Sequence, residues 1–154
     1  MRKGLDATDK RILTFLQEDG RRRNTDLADA LHITPAPCLR RVKALEECGV
    51  IRKYVALVEP ELVGLTLTAI VEVKLVSQTR KQIESFETAV SKLANVQECY
   101  LVTGEWDFIL KVVVSDLPAF QKFLLDRLTS LREVQSLKSN IVVKSTKCTT
   151  TLAI

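Results

Sequence analysis

The chain has 154 residues, 46% of them apolar and 27% charged, with a formal net charge of +4. This length suits one large or two small domains, and the apolar fraction is enough to fill their cores. No apolar run approaches the ~18 residues of a membrane span, and no charged–apolar–small leader opens the chain, so we expect a cytoplasmic protein without a membrane partner. The basic excess lies mainly in residues 1–60, which hold 12 Lys and Arg against 9 Asp and Glu.

Metal and catalytic chemistry are not indicated. The four cysteines lack C-x-x-C spacing, and His32 is the single histidine, so no metal site and no cofactor are predicted. The cysteines are interpreted as reduced, packed thiols and His32 as a turn residue. One histidine and scattered carboxylates do not supply a nucleophile or an acid–base pair, so the chain is not predicted to be an enzyme.

Three short helices are predicted in residues 1–50. The first lies in "LDATDKRILTFLQEDG", with Asp6 as its cap and Asp9 three residues later. The second lies in "TDLADALHI", and a three-residue break separates it from a third helix, which runs from about Pro35 to Cys48. The apolar stripes of the first two helices are Ile12, Leu13 and Leu16, and Leu27, Ala28 and Leu31. Two helices joined by a tight turn form a helix-turn-helix domain.

The third helix has the shape of a DNA-reading element. Thr34 is its predicted N-cap, and both of its prolines fall in the first turn, where a missing N–H costs little. Leu39, Val42 and Leu45 are predicted on the buried side, leaving small residues and arginines on the other side, where a helix can approach base edges. The predicted DNA contacts are Arg22, Arg23, Thr34, Pro35, Ala36, Pro37, Arg40, Arg41 and Lys43.

Two plainer interpretations of these basic residues remain open. The face of the third helix could be an ordinary solvated surface. The arginines after the first helix could stabilise the C-terminal end of its dipole instead of clamping a phosphate.

The second half of the chain has a different pattern. "VIRKYVALVEP" reads as a strand or short wing, and residues 51–63 as a strand and linker. Residues 64–154 then predict the order βαββαβ, with a capping box at Thr79–Gln82 and a cap at Asp116. We expect the tail "STKCTTTLAI" either to extend away from the domain or to exchange with the tail of a partner chain. One face of such a sheet lacks helices, which favours a homodimer, and two recognition helices set roughly 34 Å apart match one turn of DNA.

A resemblance to a known family covers the whole chain. The motifs that carry it are "LDATDKRIL", "LADALHITPAPCLRRVKALEECGVI" and "YLVTGEWDFILKVVV". They resemble the leucine-responsive/AsnC (feast–famine) transcription regulators. The fold class is accordingly predicted as α+β, an N-terminal winged helix-turn-helix domain joined to a C-terminal ferredoxin-like domain. The resemblance implies dimers that bind double-stranded DNA and assemble into octamers, and an amino-acid effector held between neighbouring C-terminal domains near residues 101–107.

The hairpin "GEWD" offers chemistry that suits such an effector. Asp107 is predicted to bind the ammonium group of an amino acid, and backbone N–H groups at Gly104 its carboxylate. The predicted effector residues are Leu101, Thr103, Gly104, Glu105, Trp106, Asp107 and Thr129. The effector class is leucine or another hydrophobic or basic amino acid. The alternative for the hairpin is a plain turn without a ligand. The alternatives for the whole protein are a ligand-independent DNA-binding regulator and an amino-acid-binding module without a DNA role.

Overall fold

A computed structural model describes residues 4–154, so the first three positions of the predicted DNA-binding domain lie outside the described residues. The chain forms two compact units, one of residues 4–57 with Lys147–Ile154 and the other of Val58–Thr146. The sequence groups the tail with the second domain. In the structure the tail contacts the first unit, where the side-chain amide of Gln17 accepts from the Leu152 N–H at 2.7 Å and donates to its carbonyl at 3.2 Å.

The first unit is the three-helix domain that the sequence predicts. Its helices are α1 (Ala7–Glu18), α2 (Asn24–Leu31) and α3 (Pro35–Glu47). The predicted capping box of α1 is present, because Asp9 N–H donates to Asp6 at 2.8 Å and Asp6 N–H donates to Asp9 at 3.2 Å. The buried side chains are Ile12, Leu13, Leu27, Ala28, Leu31, Cys38 and Leu45. Both predicted stripes are therefore confirmed, with Leu16 half-buried at the edge.

The turn between α2 and α3 depends on one residue in the left-handed conformation. His32 has φ 56° and ψ 43°, and its N–H donates to the Asp29 carbonyl at 3.1 Å. The next N–H, of Ile33, donates to Ala28 at 3.0 Å. A non-glycine residue at positive φ is strained by roughly 1–2 kcal/mol, so the tight turn stores some energy at His32.

The predicted strand after α3 does not form. Residues 52–59 have no regular structure, and residues 52–58 form no backbone–backbone hydrogen bond with any described residue. A strand requires a neighbouring strand, and none in the described chain runs beside this segment. Tyr54 anchors it, because its hydroxyl donates to Glu46 at 2.9 Å and its ring closes over Gly20. Burial and the Glu46 carboxylate raise the pKa of Tyr54 to about 12.

The second unit has the predicted order βαββαβ. Its elements are β1 (Leu67–Leu75), α4 (Arg80–Val90), β2 (Val96–Leu101), β3 (Phe108–Val114), α5 (Leu117–Phe123) and β4 (Val134–Ile141). The sheet order is β2-β3-β1-β4, and every pair is antiparallel. Along β1, residues alternate between buried and half-buried, as a strand with one helix-covered face requires. The ferredoxin-like arrangement is thereby confirmed.

The helices of this unit pack on one face of the sheet. Phe86 of α4 contacts Phe108 of β3, with ring centroids 4.6 Å apart. The Asp116 cap is present, since its carboxylate accepts from the Ala119 N–H at 2.8 Å. The Thr79–Gln82 capping box is wrong, because Thr79 stands at the N-cap but its side chain makes no bond to the helix. The last predicted helix also changes form, continuing from α5 into a π-helical turn at Leu124–Leu128.

Two further findings concern the whole described chain. The four cysteines are free, but only Cys38 is buried, so the prediction of packed thiols holds at that position alone. Among residues 4–154, no helix is both long and apolar enough to cross a bilayer.

Candidate nucleic-acid interface and ligand pocket

The N-terminal end of α3 is fixed by α2. Thr34 has the extended backbone of an N-cap without a side-chain bond, and Pro35 occupies the first helical turn. The side-chain amide of Asn24, the first residue of α2, donates to the Pro35 carbonyl at 2.9 Å. The two helices of the helix-turn-helix are thus joined at the point where α3 begins.

The outer face of α3 is small and basic. Ala36, Arg40, Lys43 and Ala44 are exposed, while Pro37 is half-buried. Leu39 is 44% exposed, so its predicted place on the buried side is wrong. Cys38 occupies the core position instead. The small thiol packs in the core of the three helices, while Val42 and Leu45 keep their predicted places on the buried side.

The predicted basic contacts divide into two groups. Arg40 and Lys43 form no ion pair with any described residue. Arg22 lies over the ring of Phe15, with its guanidinium carbon 4.8 Å from the ring centroid. Arg23 pairs with Asp26 through two bonds of 3.0 Å, which hold the pKa of that carboxyl below its usual value.

Arg41 points into the first unit and does not join the outer face. Its Nη1 donates to Asp6 at 2.6 Å and to Asp9 at 2.8 Å. The Asp9 backbone N–H and, after it, the Arg41 side chain lower the pKa of Asp6. The prediction of Arg41 as a DNA contact is therefore corrected, because its guanidinium is already bound to two carboxylates.

The hairpin between β2 and β3 is held by the end of β1. Asp107 is 5% exposed, and its carboxylate accepts from the Leu75 N–H and from the Gln78 amide, both at 2.7 Å. Lys74 Nζ lies 3.6 Å from the same carboxylate and donates to the Glu105 carbonyl. The carboxylate that the sequence predicts to bind an effector's ammonium group therefore already has partners inside the domain.

A shallow pocket lies beside the hairpin. Its volume is about 650 Å³, and its lining residues are Glu72, Leu101, Val102, Thr103, Glu105, Trp106 and Ile109. Four of the predicted effector residues therefore share one pocket, while Gly104 lies at the hairpin tip with φ 121° and Asp107 lies beneath it. Thr129 follows the π-helical turn, where its hydroxyl donates to the Leu125 carbonyl at 2.9 Å, and it does not line the pocket.

Sequence reasoning missed the pocket residues that come from other strands. Glu72 of β1 and Ile109 of β3 lie in register on adjacent strands, and Glu72 pairs with Lys138 of β4 at 3.0 Å. Glu72 lies on the face of β1 opposite the core, and the strand order brings that face to the hairpin. Within residues 4–154, no group of three or more His, Cys, Asp or Glu side chains is placed to hold a metal ion.

Comparisons with known proteins find a match for each part of the chain. A winged helix-turn-helix DNA-binding model matches residues 5–52, and an Lrp/AsnC ligand-binding domain model matches residues 68–152. The leucine-responsive regulatory protein of Haemophilus influenzae is 40% identical over 152 residues, covering 99% of this chain and 92% of that protein. The Escherichia coli K12 protein of the same name is 39% identical, with 99% and 93% covered.

Two solved structures extend the comparison to the fold. A transcriptional regulator from Neisseria meningitidis in complex with L-Met is 41% identical, with a TM-score of 0.93 and 97% of each chain covered. An AsnC family transcriptional regulator from Agrobacterium tumefaciens is 34% identical, with a TM-score of 0.92 and the same coverage.

Proposed function

The chain belongs to the Lrp/AsnC family of transcriptional regulators, and from that membership we propose which residues read DNA and which bind the effector. The first unit binds double-stranded DNA through the outer face of α3. The observation that supports this assignment is the pair of unengaged cations, Arg40 and Lys43, beside the small Ala36 and Ala44. Small side chains let the helix backbone approach the major groove, and an arginine there can bind guanine by two hydrogen bonds.

The basic residues are proposed to play different parts. Arg40 reads a base, whereas Arg22, with Lys43, contacts phosphates and carries no sequence information. Arg40→Ala is expected to reduce base discrimination by about 1–3 kcal/mol, while Arg22→Ala weakens all sequences alike and flattens the salt dependence. Fluorescence anisotropy with a selected duplex and a random duplex of equal length measures both effects. Equal losses on the two duplexes for both variants would rule out this division of roles.

The effector is proposed to be a small α-amino acid with an apolar side chain. Leu101, Trp106 and Ile109 give the pocket an apolar surface, and the Glu105 carboxylate, which forms no ion pair with a described residue, can receive an ammonium group. Backbone N–H groups at Gly104 remain the partners proposed for the ligand carboxylate. The relatives named for leucine and the L-Met complex make leucine and methionine the first ligands to test.

The effector proposal is tested by titrating the twenty amino acids against the full chain. Trp106 is the only tryptophan, so its fluorescence reports binding directly at the pocket. We expect leucine or methionine to change this signal and to change DNA affinity by about 5- to 150-fold, the usual range of allosteric coupling. Glu105→Gln is expected to weaken ligand binding, with Glu61→Gln as a charge-matched control outside the pocket. No response to any amino acid would identify a ligand-independent regulator.

Assembly is proposed to begin with a homodimer. The segment 52–58 leaves its backbone groups unpaired and exposes Val55, Leu57 and Val58. Two such segments can pair as antiparallel strands, which would satisfy those groups and cover the apolar side chains. Octamers of these dimers are the further assembly that the family resemblance implies. Light scattering at micromolar concentration tests both states, and a monomer that still binds DNA tightly would contradict the dimer.

We also propose that the protein is cytoplasmic, because a transcription regulator must reach the DNA of the cell.

A further inference from the structure

We propose that Arg41 is a positioning residue, an inference that rests on the proposed role of α3 as the DNA-reading helix. Arg41 fixes the rotation of this recognition helix against the N-terminus of α1, so that Arg40 faces DNA. Arg41 lies on the recognition helix, where an arginine would ordinarily be assigned to DNA. Its guanidinium is instead bound inside the first unit, and the geometry of its two partners indicates why.

Each of the four carboxylate oxygens of Asp6 and Asp9 accepts one hydrogen bond. Asp6 Oδ1 accepts from Asp9 N–H at 2.8 Å, and Asp9 Oδ2 accepts from Asp6 N–H at 3.2 Å. The remaining oxygens, Asp6 Oδ2 and Asp9 Oδ1, both accept from Arg41 Nη1 at 2.6 and 2.8 Å. The capping box holds both carboxylates in place, and their outer oxygens converge on one guanidinium nitrogen.

This closed network restrains Arg41. The Asp9 side chain is only 19% exposed, and that of Arg41 is 39% exposed, so water screens the Asp9 contact less than a fully exposed ion pair. If the guanidinium swung out to a phosphate, it would leave two carboxylates beside each other without a counter-charge. DNA binding would then have to overcome both the lost bonds and the repulsion between those carboxylates and the phosphates.

The restraint determines where the neighbouring residue points. Successive residues of an α-helix are 100° apart around its axis, so fixing Arg41 toward α1 turns Arg40 toward solvent. The bond from Asn24 to the Pro35 carbonyl already holds the start of α3 to α2. With Arg41 bound to α1, the recognition helix is attached at two points to two different helices, and both its position and its rotation are defined.

The two possible roles of Arg41 predict different effects of Asp6→Asn on the ratio of specific to random affinity. This substitution removes a negative charge near DNA and loosens Arg41 without removing any cation. If Arg41 were a phosphate contact held back by the acids, affinity for every sequence would rise alike, and the ratio of specific to random affinity would stay as in the parent. If Arg41 positions α3, the ratio of specific to random affinity falls although the protein has become more basic.

The experiment measures dissociation constants for a duplex selected by the parent protein and for a random duplex of equal length, across a range of salt concentrations. We expect Arg41→Gln and Asp6→Asn each to reduce the specific-to-random ratio by roughly tenfold, the order of one lost base contact. The double variant should lose no more than the worse single variant, because both changes break one network. Arg41→Lys should recover most of the ratio, since an ammonium group can bridge the same carboxylates.

The salt dependence separates the roles independently. For a positioning residue, the slope of log K against log salt on random DNA stays as in the parent after Arg41→Gln. A phosphate contact would lower that slope by about 0.9. Lys43→Gln, on the exposed face of the same helix, is the matched control for such a loss.

A lower slope for Arg41→Gln, or a specific-to-random ratio that Asp6→Asn leaves unchanged, would overturn the proposal. If Arg41→Gln does not fold, Asp6→Asn still decides, because it loosens Arg41 while every cation of the unit is kept.

Discussion

Replacing Asp107 by alanine tests whether the hairpin beside the ligand pocket is held by the end of β1. The carboxylate is buried and accepts two hydrogen bonds of 2.7 Å, from the Leu75 N–H and the Gln78 amide. A hydrogen bond to a charged group contributes about 1.5–3 kcal/mol, and a buried donor left without an acceptor costs about 1–3 kcal/mol. These contributions overlap, so we expect Asp107→Ala to lower the free energy of unfolding of the second unit by about 3 kcal/mol.

Urea unfolding of the full chain measures this loss. Trp106, the only tryptophan, stands next to Asp107, so its fluorescence follows the unit in question. A loss of about 3 kcal/mol lowers the midpoint by roughly 2 M urea for a unit of this size. Asp107→Asn, which keeps an acceptor for the Leu75 N–H without its charge, should lose about half as much. Glu105→Ala is the control, because its side chain is exposed at the hairpin surface.

An Asp107→Ala variant within about 0.5 kcal/mol of the parent would refute this reasoning. The hairpin would then be held by its backbone bonds alone, among them the bond from Asp107 N–H to the Val73 carbonyl at 3.0 Å.

Two further predictions concern the first unit. His32→Gly should stabilise this unit by about 0.5–1 kcal/mol, because glycine adopts positive φ without strain. Thermal unfolding measures the gain, and a variant less stable than the parent would contradict the strain assigned to His32. Tyr54 has its pKa raised from 10.0 to about 12, so the neutral phenol is the form that the folded unit favours. Its contribution is therefore complete below pH 10 and is lost as pH rises from about 10 to about 12. The stability advantage of the parent over Tyr54→Phe should shrink across that window in urea unfolding, and a constant difference would exclude this origin.

Local patterns predicted the elements that depend on neighbours along the chain. The Asp6–Asp9 capping box, the proline-started α3 and the alternation of β1 each require residues only a few positions apart. The helix-turn-helix and the ferredoxin-like order followed from them.

The predictions that failed concern residues whose structure depends on a contact with a residue distant in sequence or outside the single chain. Arg41 and Asp6 are 35 positions apart, and Asp107 and Leu75 are 32 apart. Charge and residue type suggested a DNA contact and a ligand contact at Arg41 and Asp107, and no periodicity reveals an internal partner at such a separation. The segment 52–58 has strand-forming residues but no neighbouring strand, so its propensity alone did not produce one.

The burial of Cys38 has a consequence for measuring motions of the DNA-reading unit. Its thiol is fully inaccessible at the centre of the three helices, and burial raises its pKa, whereas Cys148 in the tail is exposed. A thiol reagent therefore reaches Cys148 in the native protein but must wait for the helices to separate before it reaches Cys38. The ratio of the two labelling rates gives the opening equilibrium of the unit at a natural residue, without an introduced probe. Bound DNA, which favours the closed unit, should slow the labelling of Cys38 and leave that of Cys148 unchanged.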